Sequence, residues 1–425
     1  MTPSRPRVLI LGGNFAGLGA AQKIRDYAKD RVDITVVDRK AYLDYIPNIP
    51  LEIFEGRDPA VTMHMSLVEA LARDQIAFEQ AEVLGIDVRA RTVKIRPSER
   101  PGAPEYALGY DYLVIALGAE LALNDIEGFA EHGYTVSDAF HANRLIRYLK
   151  NDYKGGMIAV GSARFEQGTR GRPAWLPTAL AACEGPPVEV SLALAHWLKE
   201  NGKGGPENIT LFTPADEIAE DAGEKVVEQL LAAASSMGFK YINKTRGIRR
   251  LTAEGVEFAD GRKLEAEISI VFPNWKPHAF LRDLPISDEV GFIITDMRMR
   301  NPDHPEIFAC GDAAAITVPK LGAIGHQEAD IVGRQIAKDV GAMKAEEADI
   351  AWKPEVICIG DMGGGKAFYI HANSWFGGDV QELRMGRLPY AQKLAYKEIF
   401  FRSHGRIPNW GVPLAEWSAE AIGGQ

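Results

Sequence analysis

The sequence predicts an α/β protein of two nested domains, followed by a C-terminal extension. Apolar residues 8–11 read as a buried strand that runs into a glycine turn and then into a helical pattern at residues 16–27. This is the order of a β-α-β unit. A second unit of the same kind opens at residues 155–161. Strand character returns at residues 307–309, so we expect the second domain to lie within the first.

Each expected element follows from apolar periodicity bounded by glycine, proline or polar turns. In chain order these are strand 8–11, helix 16–27, strands 32–37, 112–118 and 155–161, helix 188–199, strand 209–213, helix 215–237, a β-meander at 247–272, strands 291–295 and 307–309, and helix 325–340. We expect a first domain at residues 1–120 and 286–345, a second at 121–285, and a C-terminal region at 346–425.

Length and composition narrow the class of protein. A chain of 425 residues is longer than one core normally serves. A net charge of −10 argues against nucleic acid as a partner, and three cysteines are too few for a disulfide-stapled secreted scaffold. No window approaches the roughly 18 consecutive apolar residues of a membrane-spanning helix. The start leaves no room for a signal peptide, so we expect a cytoplasmic location with peripheral membrane contact.

The first glycine turn reads Gly12-Gly13-Asn14-Phe15-Ala16-Gly17. A dinucleotide fingerprint is Gly-x-Gly-x-x-Gly, so asparagine, which tolerates left-handed backbone, replaces the middle glycine. The first glycine makes the tight turn, the last allows close packing of helix on strand, and amides at the helix N-terminus hold pyrophosphate. The alternative is a turn that serves packing alone. The expected cofactor-binding residues are Gly12, Asn14, Phe15, Ala16 and Gly17 and, about 20 residues further on, the ribose-binding carboxylate Asp38 with its neighbour Arg39.

Two later segments extend this pattern. Residues 110–119, with Ala116 and Gly118, resemble the strand that crosses between domains in FAD-dependent reductases. Residues 307–315, with Gly311 and Asp312, resemble their second FAD motif, where the aspartate bonds the ribityl chain. In this order the motifs resemble the two-dinucleotide-binding-domain flavoprotein superfamily. The resemblance implies two nested Rossmann-like domains, of the glutathione-reductase type, with FAD bound.

The residues where a second nucleotide fingerprint would lie do not match that fingerprint. Residues 159–168 contain Gly161, but Ser162, Ala163 and Arg164 follow it, where glycines would let pyrophosphate approach the backbone. The next residues are irregular and include two prolines, so no helix dipole is available for phosphate. The sequence therefore predicts an electron donor without a nucleotide. A drifted but working NAD site is the alternative.

Two cysteines, Cys183 and Cys358, are each followed closely by a glycine-containing turn, which we expect to present the thiol on a bend. The first precedes Gly185-Pro186-Pro187 at the start of a helix, where a thiolate is favoured. Cys-x-Gly-Pro-Pro and a late Cys-x-x-Asp, combined with FAD motifs, resemble the sulfide:quinone oxidoreductases. The alternative is that each cysteine is a small buried hydrophobe.

The resemblance implies a chemistry and further residues. Hydrosulfide would attack a Cys183–Cys358 bridge, electrons would pass through the flavin to quinone, and sulfur would leave as polysulfide or elemental sulfur. Glu189 matches a glutamate near the sulfur chamber and would move a proton; its alternative is a first-turn helix acid. Lys320 matches a lysine beside the flavin and would stabilise the reduced ring; its alternative is a solvated lysine. No metal site is expected.

The C-terminal tail suggests where quinone and membrane would be met. Residues 385–402 carry a helical apolar stripe, with basic residues around it that suit a helix in a membrane interface. The stripe comprises Ala391, Leu394, Ala395, Ile399 and Phe401, the basic residues are Lys393, Lys397 and Arg402, and Trp410 and Trp417 extend the aromatic belt. Phe368, Tyr369 and Phe376 are candidates for stacking on quinone. Packing of the stripe on the protein body or on another subunit is the alternative.

The leading prediction is a monotopic FAD enzyme that oxidises sulfide and reduces quinone. A type II NADH:quinone dehydrogenase would share the fold but needs the second fingerprint. The flavin subunit of a sulfide-oxidising flavocytochrome would require export. A non-enzymatic redox-sensing flavoprotein, whose cysteine bridge gates a partner, is a further alternative. A homo-oligomer is possible in each case.

Overall fold

The computed structural model describes residues 5–100 and 102–406. The expected residues of the aromatic belt at Trp410 and Trp417 lie outside the described residues. The first part of the chain supplies the strands and helices of a β-α-β unit and its extension. They are β1 (Arg7–Leu11), α1 (Phe15–Ala28), β2 (Asp33–Asp38), β3 (Tyr42–Asp44), α2 (Ile49–Phe54), α3 (Pro59–Thr62), β4 (His64–Ser66), α4 (Leu67–Arg73), β5 (Ala77–Asp87), β6 (Thr92–Pro97), β7 (Tyr106–Gly109), β8 (Tyr112–Ile115) and β9 (Glu120–Leu121).

The middle part of the chain forms the second unit. Its elements are α5 (Phe129–His132), β10 (Gly133–Tyr134), α6 (Ala139–Asn151), β11 (Ile158–Ser162), α7 (Gly185–Glu200), β12 (Ile209–Phe212), α8 (Glu224–Met237), β13 (Lys240–Ile242), β14 (Ile248–Thr252), β15 (Gly255–Phe258), β16 (Lys263–Glu265), β17 (Ile268–Phe272) and β18 (Trp275–Lys276). The last part contains β19 (Ile307–Ala309), α9 (Gly322–Asp339), α10 (Ala345–Ala348), β20 (Val356–Gly363), β21 (Lys366–Ala372), β22 (Gln381–Gly386) and α11 (Arg387–Arg402).

A seven-stranded sheet has the order β19-β8-β1-β2-β5-β6-β7. The first five strands of that order run parallel to one another. Strand β6 is antiparallel to β5, and β7 is antiparallel to β6. The central strand β1 is apolar because it has a neighbour on each side: Val8 lies opposite Ile34 and Tyr112. Helices α1 and α9 pack together on this sheet. Since β19 joins from far along the chain, the second unit is an insertion in this α/β fold.

The second sheet has the order β10-β17-β11-β12-β13 and is parallel throughout. All five residues of β11 are buried, as expected for a strand covered on both faces. The meander β14-β15-β16 is antiparallel beside it. A third sheet, β20-β21-β22, is antiparallel; α7 packs on β20 and α11 packs on β21. This third sheet brings the C-terminal part of the chain to the start of α7.

Several expected elements have different limits. The strand expected at 112–118 ends at Ile115, and Gly118 turns with a φ of 68°. The helix expected at 215–237 begins at Glu224, because Ala219 and Gly223 have left-handed or extended positive φ values, which an α-helix excludes. The strand expected at 291–295 is reduced to isolated bridges made by Ile293.

The location of Cys358 also differs from expectation. It lies inside β20, opposite Ile370 of β21, and not on a bend. The glycines that follow it, which the sequence suggests as a turn, continue the strand as far as Gly363. The thiol is therefore held by a strand ladder, which fixes it more firmly than a loop does.

Helix α11 places one of its lysines on the side that faces the protein. Lys393 and Phe400 are buried, whereas Leu394 and Ile399 are more than a third exposed. Ala391, Leu394, Ala395 and Ile399 of the apolar stripe are therefore exposed, whereas Phe401 packs against Tyr45. Lys393, which was expected to flank the stripe, points into the protein. Within the described residues no helix has the length and apolar character needed to cross a membrane.

Candidate functional site

A cavity of about 2150 Å³ lies where the first sheet meets α7, β20 and α11. That volume exceeds the range typical of drug-sized ligands and leaves room for a dinucleotide. Most of the residues selected from the sequence line it. They are Gly12, Asn14, Phe15, Ala16, Asp38, Arg39, Ala116, Gly118, Cys183, Glu189, Gly311, Asp312, Lys320, Cys358 and Tyr369.

The glycine turn after β1 has the geometry of a close backbone approach. Gly12 has a φ of 99°, and a Cβ there would lie 2.1 Å from the carbonyl oxygen of Ala116. A Cβ on Gly17 would lie 1.9 Å from the carbonyl oxygen of Gly12. Asn14 caps α1, and its side chain accepts a hydrogen bond from the Phe15 N–H at 3.0 Å. The N-terminus of α1 is thereby directed at the cavity, where it can hold an anionic group.

Asp38 ends β2 at the cavity wall. Its carboxylate accepts hydrogen bonds from the N–H groups of Gly13, at 2.7 Å, and Lys40, at 2.8 Å. Burial raises its pKa, and these two donors act against that shift. The carboxylate is thus fixed beside the glycine turn and can accept from a ribose hydroxyl.

The second motif is held by Glu328 of α9, which the sequence analysis did not identify. Its buried carboxyl accepts from the Gly311 N–H at 2.6 Å and from the Thr317 hydroxyl at 2.7 Å. Burial raises the pKa of Glu328 to about 8 and that of the adjacent Asp312 to about 6. Glu328 therefore fixes the turn that directs Asp312 at the cavity. A helical acid 16 residues after Asp312 gives no local sequence signal.

Lys320 is buried, and its predicted alternative as a solvated lysine is wrong. Its ammonium donates to the carbonyl of Ala314 at 2.9 Å and lies 3.9 Å from the centre of the Phe292 ring. Burial lowers its pKa to about 8, while the charge of Asp312 acts in the opposite direction. A cation in this position, at the wall of the cavity, can stabilise negative charge on a bound group.

The second β-α-β unit places its helix differently from a dinucleotide-binding unit. After β11 the chain runs through residues 163–184 without a helix, and α7 begins only at Gly185. Backbone hydrogen bonds hold this loop in place. The Ala163 N–H donates to the carbonyl of Phe272, the last residue of β17, and the Phe165 N–H donates to the carbonyl of Leu180. Gly161, the glycine that remains of the fingerprint, packs against Phe212. The end of β11 therefore has no helix N-terminus available for pyrophosphate.

The sulfurs of Cys183 and Cys358 converge on Gly185, the first residue of α7. The backbone N–H of Gly185 lowers the pKa of the Cys183 thiol. A Cβ on Gly185 would lie 2.9 Å from the Cys358 sulfur, which is closer than such contacts normally come, so glycine leaves room for that sulfur. Both cysteines are free thiols, and both line the cavity. Two residues 175 positions apart are thus brought to one helix terminus.

The expected thiolate character of Cys183 is not found. Burial raises its pKa well above the usual value, and the charge of Asp221 adds to the shift; the Gly185 N–H opposes both. Burial likewise raises the pKa of Cys358 to about 12, with Glu189 adding to the shift and Lys393 opposing it. Desolvation is the larger effect because the helix-terminus contribution is about 1 kcal/mol or less. A low-polarity site of this kind favours an uncharged sulfur pair.

Glu189 belongs to a buried ion-pair network that begins on α11. Its carboxylate lies 3.0 Å from the Lys393 ammonium and accepts from the Asp361 N–H at 2.9 Å. Lys393 also donates to the carbonyls of Pro47, at 2.9 Å, and Ile359, at 2.8 Å. Burial raises the pKa of Asp361 to about 7, and the charge of Glu189 adds to that shift. The network places groups that can hold a proton next to the strand of Cys358.

The three candidates for quinone stacking are not brought together. Tyr369 lies at the cavity wall. Phe368 is fully buried on the opposite face of β21 and packs on Gly360. Phe376 lies in a short helix away from the cavity, with its ring centre 6.4 Å from that of Trp175. Tyr396 of α11 lines the cavity and was not selected from the sequence.

Comparisons with known proteins agree on the fold and differ in activity. A family model described as pyridine nucleotide-disulphide oxidoreductase matches residues 6–329. An NADH dehydrogenase-like protein of Mycobacterium tuberculosis is 26% identical over 377 residues, which cover 84% of this chain and 86% of that protein. A demethylphylloquinone reductase of Synechocystis is 25% identical over 327 residues, which cover 74% of this chain and 73% of that protein. The X-ray structure of the sulfide:quinone oxidoreductase of Aquifex aeolicus has a TM-score of 0.78 at 22% identity, covering 98% of this chain and 95% of that chain.

We expect Gly17→Ala to abolish retention of a dinucleotide cofactor, because the new Cβ would collide with the Gly12 carbonyl and disrupt the turn. The measurement is the ratio of flavin to protein absorbance after purification. Gly85→Ala is the matched control, since no atom lies within 4 Å of a Cβ there. Flavin retained equally in both variants would contradict the assignment of this turn.

Proposed function

We propose that this chain, which belongs to the pyridine nucleotide-disulphide oxidoreductase family, is an FAD enzyme that oxidises sulfide and reduces a quinone. The family assignment makes it an oxidoreductase. The observation that supports the finer proposal is the convergence of the Cys183 and Cys358 sulfurs on Gly185, at the wall of the cavity. A cysteine pair in that position can form a bridge that a small sulfur nucleophile attacks.

The residues at the cavity fit FAD. The glycine turn and the N-terminus of α1 would hold the pyrophosphate, Asp38 the ribose, and Asp312 the ribityl chain. Lys320, on the wall of the same cavity, would stabilise negative charge on the ring system. When bound, FAD supplies a two-electron store between sulfur and quinone.

The proposed reaction begins at the cysteine bridge. Hydrosulfide attacks the Cys183 sulfur, a new S–S bond forms there, the bridge bond breaks, and Cys358 leaves as a thiolate. Oxidation of hydrosulfide to zero-valent sulfur releases two electrons and one proton. Reduction of quinone to quinol takes up two electrons and two protons, so one proton comes from solvent. The sulfur leaves as elemental sulfur or polysulfide.

The surrounding residues provide what these steps require. The Gly185 N–H stabilises charge on Cys183, and the Lys393 ammonium favours charge on the departing Cys358 thiolate. Glu189, paired with Lys393, and Asp361 are buried carboxyl groups near that thiolate. Since burial raises the pKa of Asp361 to about 7, it can take up and release a proton near neutral pH.

A second candidate is a type II NADH:quinone dehydrogenase. The M. tuberculosis relative, whose name specifies NADH dehydrogenase-like activity, favours this reading. The loop at residues 163–184 argues against it, because the helix terminus that would hold the nucleotide phosphate is at the cysteine pair instead. The names of the Synechocystis and Aquifex proteins support quinone as the acceptor under either reading.

We also propose that the enzyme binds the cytoplasmic face of a membrane through α11. The outward side of this helix carries Leu394, Tyr396 and Ile399, which are 36–38% exposed. Apolar side chains of this kind beside a cavity mouth suit an interfacial helix that admits a lipid-soluble quinone. Deletion of α11 would not test this idea, because it would also remove the buried Lys393 and Phe400.

The two enzyme readings predict opposite results in an anaerobic titration. We expect sulfide to bleach the visible flavin absorbance as fast as the enzyme turns over. NADH should leave that absorbance unchanged. The protein is used with its flavin bound, and decylubiquinone is then added to restore the absorbance. Bleaching by NADH and not by sulfide would select the dehydrogenase. Slow bleaching by sulfide without quinone turnover would select a redox sensor.

We expect Cys183→Ser and Cys358→Ser each to abolish sulfide-driven bleaching, because neither variant can form the bridge. Both should retain flavin, since neither residue holds the glycine turn. Reduction by dithionite is the internal control and should bleach both variants fully. Sulfide turnover at the wild-type rate in either variant would exclude the bridge mechanism.

For the membrane, we expect the double variant Leu394→Asp with Ile399→Asp to partition into anionic phospholipid vesicles about tenfold less than wild type. Glu398→Gln, at an exposed position of the same helix, is the matched control and should sediment as wild type does. Sulfide-driven bleaching verifies that the double variant is folded. Equal sedimentation of all three proteins would refute anchoring by this face.

A further inference from the structure

Glu184, the residue that follows Cys183, is buried, although its neighbours form a loop. Its residue surface is only 4% exposed. The carboxyl accepts a hydrogen bond from the Ala219 N–H at 2.9 Å and is hydrogen-bonded to the Thr213 hydroxyl. Burial of a carboxyl group without such partners would cost several kcal/mol, so both contacts are needed to keep it inside. Burial raises its pKa to about 8.

Thr213, one of the two partners, is held in place by further hydrogen bonds. Thr213 directly follows β12, at the carboxyl edge of the second sheet. Its hydroxyl also accepts from the Ala215 N–H at 3.0 Å, and its carbonyl accepts from the Thr245 hydroxyl at 3.1 Å. Glu184 therefore ties the end of the long loop to a fixed point of the sheet.

Ala219, the other partner, connects Glu184 to a segment that affects both cysteine thiols. Ala219 is left-handed, with a φ of 57°, and begins the short 3₁₀-helix Glu220–Ala222. That helix carries Asp221, whose charge raises the pKa of both Cys183 and Cys358. Glu184 thus links the loop that carries Cys183 to the end of β12 and to the turn that carries Asp221.

We propose that Glu184 is a positioning residue that ties the Cys183 loop to the end of β12 and to the turn at Ala219. In this role it fixes the Cys183 sulfur near Cys358 and keeps the charge of Asp221 near both thiols. The inference rests on the proposed function of the cysteine pair as the reacting centre, and it assigns to that centre a residue that touches neither substrate nor cofactor.

The test measures how fast the two thiols join. Full-length, flavin-loaded protein is reduced, desalted and treated with diamide, which takes up the two electrons and two protons released as the disulfide forms. Peptide mass spectrometry follows the Cys183–Cys358 product. We expect Glu184→Ala to slow its formation by about tenfold to a hundredfold, since small displacements of reacting atoms have effects of that size. Glu184→Gln should react within about threefold of wild type, because its amide keeps both hydrogen bonds.

Two results would overturn the proposal: a wild-type rate in Glu184→Ala, or a rate in Glu184→Gln as slow as that of Glu184→Ala. Alkylation of the fully buried Cys310 by iodoacetamide reports general loss of structure. If Glu184→Ala exposes Cys310, Thr213→Val decides. Slowed disulfide formation there, with Cys310 protected, supports the proposal, and a wild-type rate refutes it.

The position of Asp221 is tested separately with Asp221→Asn. Removal of its charge should lower the pKa of both thiols and speed the alkylation of Cys183 and Cys358 in the reduced protein. Unchanged alkylation of both would refute the part of the proposal that concerns Asp221. Neither measurement uses sulfide, so a failure of sulfide to bleach the flavin would reject the proposed function and leave this inference to be judged independently.

Discussion

The candidate site depends on one contact, made at Gly185 where α7 begins. Its N–H lowers the pKa of the Cys183 thiol, and its lack of a side chain leaves space for the Cys358 sulfur. The two sulfurs come from a loop and from a strand of a different sheet, so only the packing of α7 on β20 brings them together. Everything else at this end of the cavity, including the Glu189–Lys393 pair, is arranged around that packing.

The same helix begins at a different place from the helix of a dinucleotide-binding unit. In a dinucleotide-binding unit the crossover helix begins directly after the strand and directs its N–H groups at phosphate. Here α7 still crosses from β11 to β12, but residues 163–184 separate its start from the end of β11. The start of α7 lies instead beside Cys183 and Cys358.

The sequence predicted the parts that depend on local periodicity and on glycine. The β-α-β order, the turn at Gly12 and the late start of the second helix all have local signatures, and the structure contains them. It did not predict the role of Glu328 or the burial of Lys393, because a buried charge on a helix has the same local pattern as an exposed one. It was wrong about thiolate character at Cys183, since the cost of desolvation depends on tertiary packing that no local pattern records.

Helix α11 connects the outer surface with the sulfur pair. Its inward side places Lys393 against Glu189 and Lys397 within 3.3 Å of Glu52, two acids that the body of the protein buries. Its outward side exposes leucine and isoleucine. Its inward lysines need acidic partners, because an unpaired buried charge is costly. Its exposed apolar side chains are better accommodated against an apolar medium. Because Lys393 also lowers the pKa of Cys358, any contact that changes the position of α11 also changes the electrostatic environment of the Cys358 thiol.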